Sequence, residues 1–239
     1  MSITLLDALI VVALIVGFIG GWRRGFLTEF CSFVGLIAIF VIGWLFKGHL
    51  SSIMYKFLPF FKFGGDFEGI TSMNILIYEL IAFIIIVGVL AAILGIILKA
   101  TGSLENIFRG TVLIGVPSKI LGGVAGALEA YVVSFVVLCV LSQPYVTFVD
   151  VENDKIAKDL LNKTPLLSKA VDDVITSGEE IVLLVKDKKS YTKEQMDYKT
   201  LEILLKNGVV SSDSVDYLVS KGKLEIQGSK DLANKYRKW

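Results

Sequence analysis

The sequence predicts an all-α membrane protein, with four transmembrane helices (polytopic) followed by a soluble helical tail. Three observations lead there. Of 239 residues, 54% are apolar, above the 45–50% or so of soluble domains. Charge is divided unevenly, with 8 basic and 7 acidic side chains in residues 1–144 and 16 of each in 145–239. The stretches 8–22, 30–46, 80–98 and 130–149 hold no charged residue at all, and about 20 apolar residues cross a bilayer. The division falls at 144/145, between a four-helix transmembrane domain (1–144) and a soluble helical region (145–239).

The first span covers about 3–21. A cleaved signal carries its cations before the apolar core, whereas Arg23 and Arg24 follow it, so this run reads as a retained helix. Gly20 to Gly25 makes a tight hairpin with Trp22 at interface depth, leading to the second span at 26–46. Loop 47–74 is external. Its segment Met54 to Phe63 mixes aromatics with lysines and is either an interfacial segment among headgroups or a loop packed over the bundle end. The third span is 75–98, where Gly88, Ala91, Ala92 and Gly95 predict a closely packed face. Thr111 to Pro117 either lengthens the next helix or forms a short re-entrant piece. Pro117 suits the start of the fourth span, 117–142.

Lys and Arg favour cytoplasmic connections. Arg23, Arg24, Lys99, Arg109 and Lys119 fall in one set of loops, and Lys47, Lys56 and Lys62 in the other. This places the N-terminus outside, and the even number of spans returns the tail to that side.

The tail reads as amphipathic helices. Thr164-Pro165 opens one with apolar residues at 166, 167, 170, 171, 174 and 175. Thr192 to Gln195 fits a capping box ahead of Leu201, Leu204 and Leu205. Asn207-Gly208 stops that helix, and Ser211 or Ser212 begins another through Val215, Leu218 and Val219. The last pair resembles a helix-turn-helix, yet the tail is net neutral and lacks the basic face that nucleic acid requires. Lys235 to Trp239 is a basic, aromatic end that either touches headgroups or frays.

Acids within apolar spans need a reason, because an ionised group at mid-bilayer costs about 2.5–3.5 kcal/mol on insertion scales. Asp7 and Glu29 lie near span ends, and Glu29 is placed to pair with Arg23 or Arg24. Glu79 reads as a solvated interface residue. Glu129, near the centre of the fourth span, shares a helix face with Ser118, Gly122, Ala125 and Gly126. It is either a protonated hydrogen-bond donor that holds the bundle or a residue lining a water or ion path. Gly122 and Gly126 form a small-xxx-small pair that admits a second helix.

The motifs of zinc proteases, serine hydrolases, Walker nucleotide sites and CxxC centres are missing. Cys31 and Cys139 sit in apolar runs, and His49 is the lone histidine. The expectation is a protein that is not an enzyme, with no catalytic residues, cofactor or metal.

Asp7, Gly17, Gly21-Trp22-Arg23-Arg24-Gly25-Phe26, Glu29 and Gly35 resemble the opening of the colicin V production protein (CvpA) family, with its arginine-glycine-phenylalanine turn. Lys119 to Ala130 is similar to that family's glycine-spaced last span. The likeness covers about 3–142, and the tail extends beyond the compact family members. The resemblance implies a multi-pass protein of the bacterial cytoplasmic (inner) membrane, associated with colicin V or bacteriocin-type toxin production or export and with envelope homeostasis. It implies a non-enzymatic scaffold in contact with the lipid bilayer and with protein partners or further copies of itself. The alternative is a small oligomeric channel or transporter with Glu129 lining the path. The family signature falls on Asp7, Arg24, Gly25, Phe26, Glu29, Gly122 and Gly126.

Overall fold

The computed structural model describes residues 5–108, 112–142 and 154–237, the side chains of 66, 100–108, 112–115, 165, 166, 168 and 170 excepted. Arg109, Thr111, the 144/145 division and the terminal Lys238 and Trp239 lie outside the described residues. The elements are α1 (Leu5–Arg24), α2 (Phe26–Phe57), α3 (Met73–Phe108), α4 (Val112–Leu141), α5 (Lys155–Asn162), α6 (Pro165–Lys186), α7 (Lys193–Lys206), α8 (Ser212–Ser220) and α9 (Ser229–Lys235). Short 3₁₀ turns occur at Gly65–Phe67 and Lys188–Ser190. No strand occurs among the described residues. α1, α2, Met73–Lys99 of α3 and Val116–Leu141 of α4 are long and apolar enough to cross a membrane.

Three helix boundaries differ from the sequence reading, one being the end of α3, which runs to Phe108 rather than stopping at 98. α2 runs to Phe57 rather than ending at 46. The charge at Lys47 ends an apolar run but does not break a helix, whereas Pro59 biases the residue before it out of the helical region. α4 begins at Val112, with Pro117 inside it. The apolar piece before Pro117 therefore lengthens the fourth helix instead of forming a re-entrant turn.

The described chain forms two compact units. One holds 5–42, 87–142 and 154–168; the other holds 43–86 and 169–237. The second draws on residues from both sides of 144, so these units cut across the division of charge.

In the first unit α1 packs along α4 through two glycine pairs. A Cβ built on Gly21 would strike the Gly122 carbonyl oxygen, and one on Gly126 would strike the Gly17 carbonyl. Such contact brings backbones together where lipid supplies no hydrophobic push between helices. Gly25 makes the turn into α2 with φ 90°, a left-handed conformation that costs glycine nothing. Its N–H reaches the Gly21 carbonyl at 2.8 Å, while its own carbonyl accepts from Glu29 N at 3.1 Å. On α3, Leu94 presses on Gly35 of α2. Among the described residues the predicted packing face on α3 meets no neighbour at its glycines: nothing lies within 4 Å of a Cβ on Gly88 or Gly95. The close approaches are made by α1 and α4, which leaves that stripe of α3 outward.

α5 joins the first unit through Asp7. The buried carboxylate accepts from the backbone N–H of Ile156 at 2.9 Å and Ala157 at 3.2 Å. These are the second and third residues of α5, donors that normally go to an N-cap side chain. Asp154 holds the N-cap position without a side-chain bond, so Asp7 caps this helix from 149 residues away.

The second unit is a helical core built on the end of α2 and the start of α3. Tyr55, Met73, Ile75 and Tyr78 are buried with Ile181 of α6, Leu201 and Leu204 of α7 and Leu218 of α8. The aromatic segment around Tyr55 divides: Met54, Phe60 and Phe63 pack against this core, while Phe57, Leu58 and Phe61 are exposed. Tyr78 donates to the Pro59 carbonyl at 2.5 Å, and Asn74 bonds both the N–H and the carbonyl of Phe61. Thr192 and Gln195 form the expected capping box on α7, and Ser211 caps α8. Thr164 precedes α6, but its hydroxyl donates to the Leu160 carbonyl at 2.8 Å and also meets the Tyr131 hydroxyl.

Two glycines and one acid offer direct tests. Gly126→Ala forces a methyl group against backbone that cannot swing aside, and overpacking of this kind costs about 1–3 kcal/mol; a lower melting temperature in detergent is expected. Gly88→Ala meets open space and leaves it unchanged or raised. Asp7→Ala removes a cap worth about 0.5–2 kcal/mol, and hydrogen exchange is expected to speed up at the first amides of α5 while α1 stays protected.

Candidate functional site

Seven of the eight residues singled out in the sequence converge in the first unit, where α1 turns into α2 and both meet α4. Gly25 bends the chain, and the next N–H, that of Phe26, donates to Ser118 Oγ on α4 at 3.1 Å. The Phe26 ring lies 5.7 Å from that of Phe30, one turn on. Glu29, only 3% exposed, is 3.3 Å from the half-exposed guanidinium of Arg24. A Cβ on Gly126 would come within 2.8 Å of Glu29 Oε1. Gly126 thus serves two neighbours, since its bare Cα admits both the Gly17 backbone and the Glu29 carboxylate.

One turn further along this seam, buried Ser32 donates its hydroxyl to Glu129 Oε1 at 3.1 Å. This hydrogen bond tethers α4 to α2. The other Glu129 oxygen, Oε2, is buried without a hydrogen-bond partner among the described residues. The seam thus holds two carboxyl groups about a helical turn apart, one beside a cation and one beside a hydroxyl. Chemically such a seam fixes helices, and a carboxyl with one unspent oxygen can also take up a proton or a cation. Asp7 is the residue not brought to this place; it lies at α5.

A second polar cluster, in the second unit, escaped the sequence reading. Glu79 is not solvated at an interface: it is 1% exposed and lies 3.3 Å from the Lys47 ammonium. Its Oε1 accepts from Ser211 N at 3.1 Å and Ser214 Oγ at 2.8 Å. Lys47 donates to the Val209 carbonyl at 2.6 Å and sits 3.5 Å over the Trp44 ring. Gly48 leaves the room this needs, because a Cβ there would approach Ser211 Oγ to 2.8 Å. Beside it the Tyr55 hydroxyl is buried near the hydroxyls of Ser51 and Ser214. The sequence did carry a signal. Lys47 ends one charge-free run and Glu79 begins the next, so consecutive antiparallel helices bring opposite charges to the same end.

Among the described residues no three His, Cys, Asp or Glu side chains gather as a metal set. The His49 ring lies beside Phe46, and Cys31 and Cys139 are not joined in a disulfide.

Removing one partner of a buried ion pair costs about 3–5 kcal/mol, while replacing both by apolar groups is often neutral. Lys47→Met or Glu79→Leu alone is expected to lower the melting temperature sharply. The double variant should recover most of the loss, which a double-mutant cycle of melting curves measures directly.

The colicin V production protein family matches residues 6–165, running past the fourth span and α5 to the first residue of α6. The chain is also 29% identical, over 177 residues, to the uncharacterized transmembrane protein YshB of Bacillus subtilis (strain 168). That alignment covers 72% of this chain and 98% of the relative. No solved structure matches. With its arginine-glycine-phenylalanine turn, its glycine-packed first and fourth helices and most of its length matched, this membrane protein belongs to the colicin V production protein family.

Proposed function

We propose that the protein is a non-enzymatic scaffold of the bacterial cytoplasmic membrane, with both termini outside. It supports the production or export of a bacteriocin-type peptide toxin and the upkeep of the envelope, by receiving protein partners or further copies of itself. Family membership supports the toxin-related part. The scaffold part rests on one observation: α6 to α8 share a single core with the ends of two spanning helices, locked by Lys47 and Glu79. A partner bound to these helices is thereby tied to the membrane without a flexible linker. The polar groups of the α1–α2–α4 seam fit the same role, since their contacts join one helix to another or steady the turn between α1 and α2.

One observation favours a second reading, a small oligomeric channel or transporter. Glu129 Oε2 is buried with no hydrogen-bond partner among the described residues, as a residue exchanging protons or cations along a path would be. Four helices leave little room for a path, so this reading needs several copies.

Glu129→Gln separates the two. The amide keeps the Oε1 acceptor for Ser32 but cannot release a proton. A scaffold retains its activity, read as secretion of a colicin V-type peptide from cells relying on the variant, and purified wild type in liposomes passes no protons or potassium. Measurable flux in wild type that Glu129→Gln abolishes establishes the transporter in its place.

A further inference from the structure

α5 sorts its residues by face. Ala157, Leu160 and Leu161 are buried, while Lys155, Lys158 and Asn162 are exposed. At about 100° per residue the first three occupy one side of the helix and the second three the other. Lys163 follows at once, well exposed and 2.8 Å from Asp159. Asp154 is buried. The outward face therefore presents Lys155, Lys158 and Lys163, with Asp159 as the acid among them.

Both ends of this short helix are tied to helices that cross the membrane. At its start, Ile156 and Ala157 donate to Asp7, the third residue of α1. A rise of about 1.5 Å per residue places Asp7 about 11 Å from the midpoint of α1, against a hydrocarbon half-thickness of about 15 Å. Just past its end, Thr164 meets Tyr131 of α4, about 4 Å beyond the midpoint of the Val116–Leu141 span. Glycine contacts set the two spans antiparallel, with Gly17 at Gly126 and Gly21 at Gly122. Both anchors thus lie in the same half of the bilayer. A helix held there cannot stand off in bulk water. Its buried leucines face the bundle, and Lys155 and Lys158, at the shallower Asp7 end, extend along their alkyl stems toward the phosphates, while Lys163 at the deeper Tyr131 end pairs with Asp159.

We propose that the start of this outward face, Lys155 and Lys158, is a binding site for anionic phospholipid headgroups, with Asp7 holding that end of α5 near the membrane surface while Tyr131 holds the other end deeper. The occupant is the bilayer itself because both anchors lie at bilayer depth, and its charge complements the two lysines. Lysines near an anionic leaflet strengthen binding about fivefold each.

The test uses the full chain, in a Cys31→Ala, Cys139→Ala background, in vesicles of phosphatidylcholine and phosphatidylglycerol in equal amounts. Spin labels replace Lys155, Lys158 or exposed Lys221 one at a time, and collision with oxygen and with a water-soluble nickel chelate reports depth. The labels at 155 and 158 are expected at phosphate depth and the label at 221 in water. Nickel accessibility at 155 and 158 equal to that at 221 overturns the proposal. So does shielding from both reagents, which would mark a covering protein partner or second copy. Native mass spectrometry gives the charge dependence. Wild type and the Lys155→Arg, Lys158→Arg variant should carry phosphatidylglycerol out of mixed micelles. The corresponding double Gln variant should carry at least about tenfold less, and equal retention by it overturns the site.

Discussion

Acidic side chains near the ends of the spanning helices are held by the N-termini of helices that come much later in the chain. Asp7 of α1 accepts the second and third N–H of α5, and Glu79 of α3 accepts Ser211 N–H and the Ser214 hydroxyl where α8 begins. In each case a carboxylate that an apolar surrounding would penalise meets donors that have no partner inside their own helix. The helix dipole adds attraction of the same sign. These bonds do more than satisfy charge. They fix where the later helices lie, and the core of the second unit and the placement of α5 in the first follow from them.

The seam around Glu29 and Glu129 handles charge differently. Here glycines remove side chains so that helices and carboxylates can share the space. Gly17 and Gly21 facing Gly122 and Gly126 let α1 and α4 touch backbone to backbone, and the same bare positions admit Glu29. Glu29 has Arg24, whereas Glu129 has the Ser32 hydroxyl. A single hydroxyl neutralises no charge. Glu129 is therefore the less compensated of the two carboxyl groups, and the choice between holding and transporting turns on it.

The four spans were legible because a water-exposed surface cannot absorb charge-free runs of that length, whereas a bilayer requires them. The glycine pair Gly122 and Gly126 was legible as a packing face, but its partner was not: spacing along one helix does not say which other helix arrives. The same rule misled at Gly88 and Gly95, where small residues at similar spacing face nothing among the described residues. Capping signals in the tail were readable one by one, since Thr192 and Gln195, or Ser211, act within a few residues of themselves. Asp7 and Glu79 were visible as acids in awkward places, yet their partners lie 149 and 132 residues away. The extent of α2 was misjudged because charge was taken to end a helix that proline ends.

Lys47 and Glu79 fall inside the residues matched by the family, while Val209, Ser211 and Ser214 fall beyond them. An apolar patch in their place would offer α8 a stickier seat, and it would also stay exposed until α8 arrived. A paired lysine and glutamate remain hydrated in the meantime, and once covered they tolerate only a partner that supplies donors and an acceptor at the right places. Buried pairs of this kind add little net stability over apolar contact. What the pair adds here is selection of one seating for the C-terminal helices. A carbonyl at Val209 must meet the ammonium while the start of α8 meets the carboxylate, and shifting either by one residue would leave a buried charge without its partner.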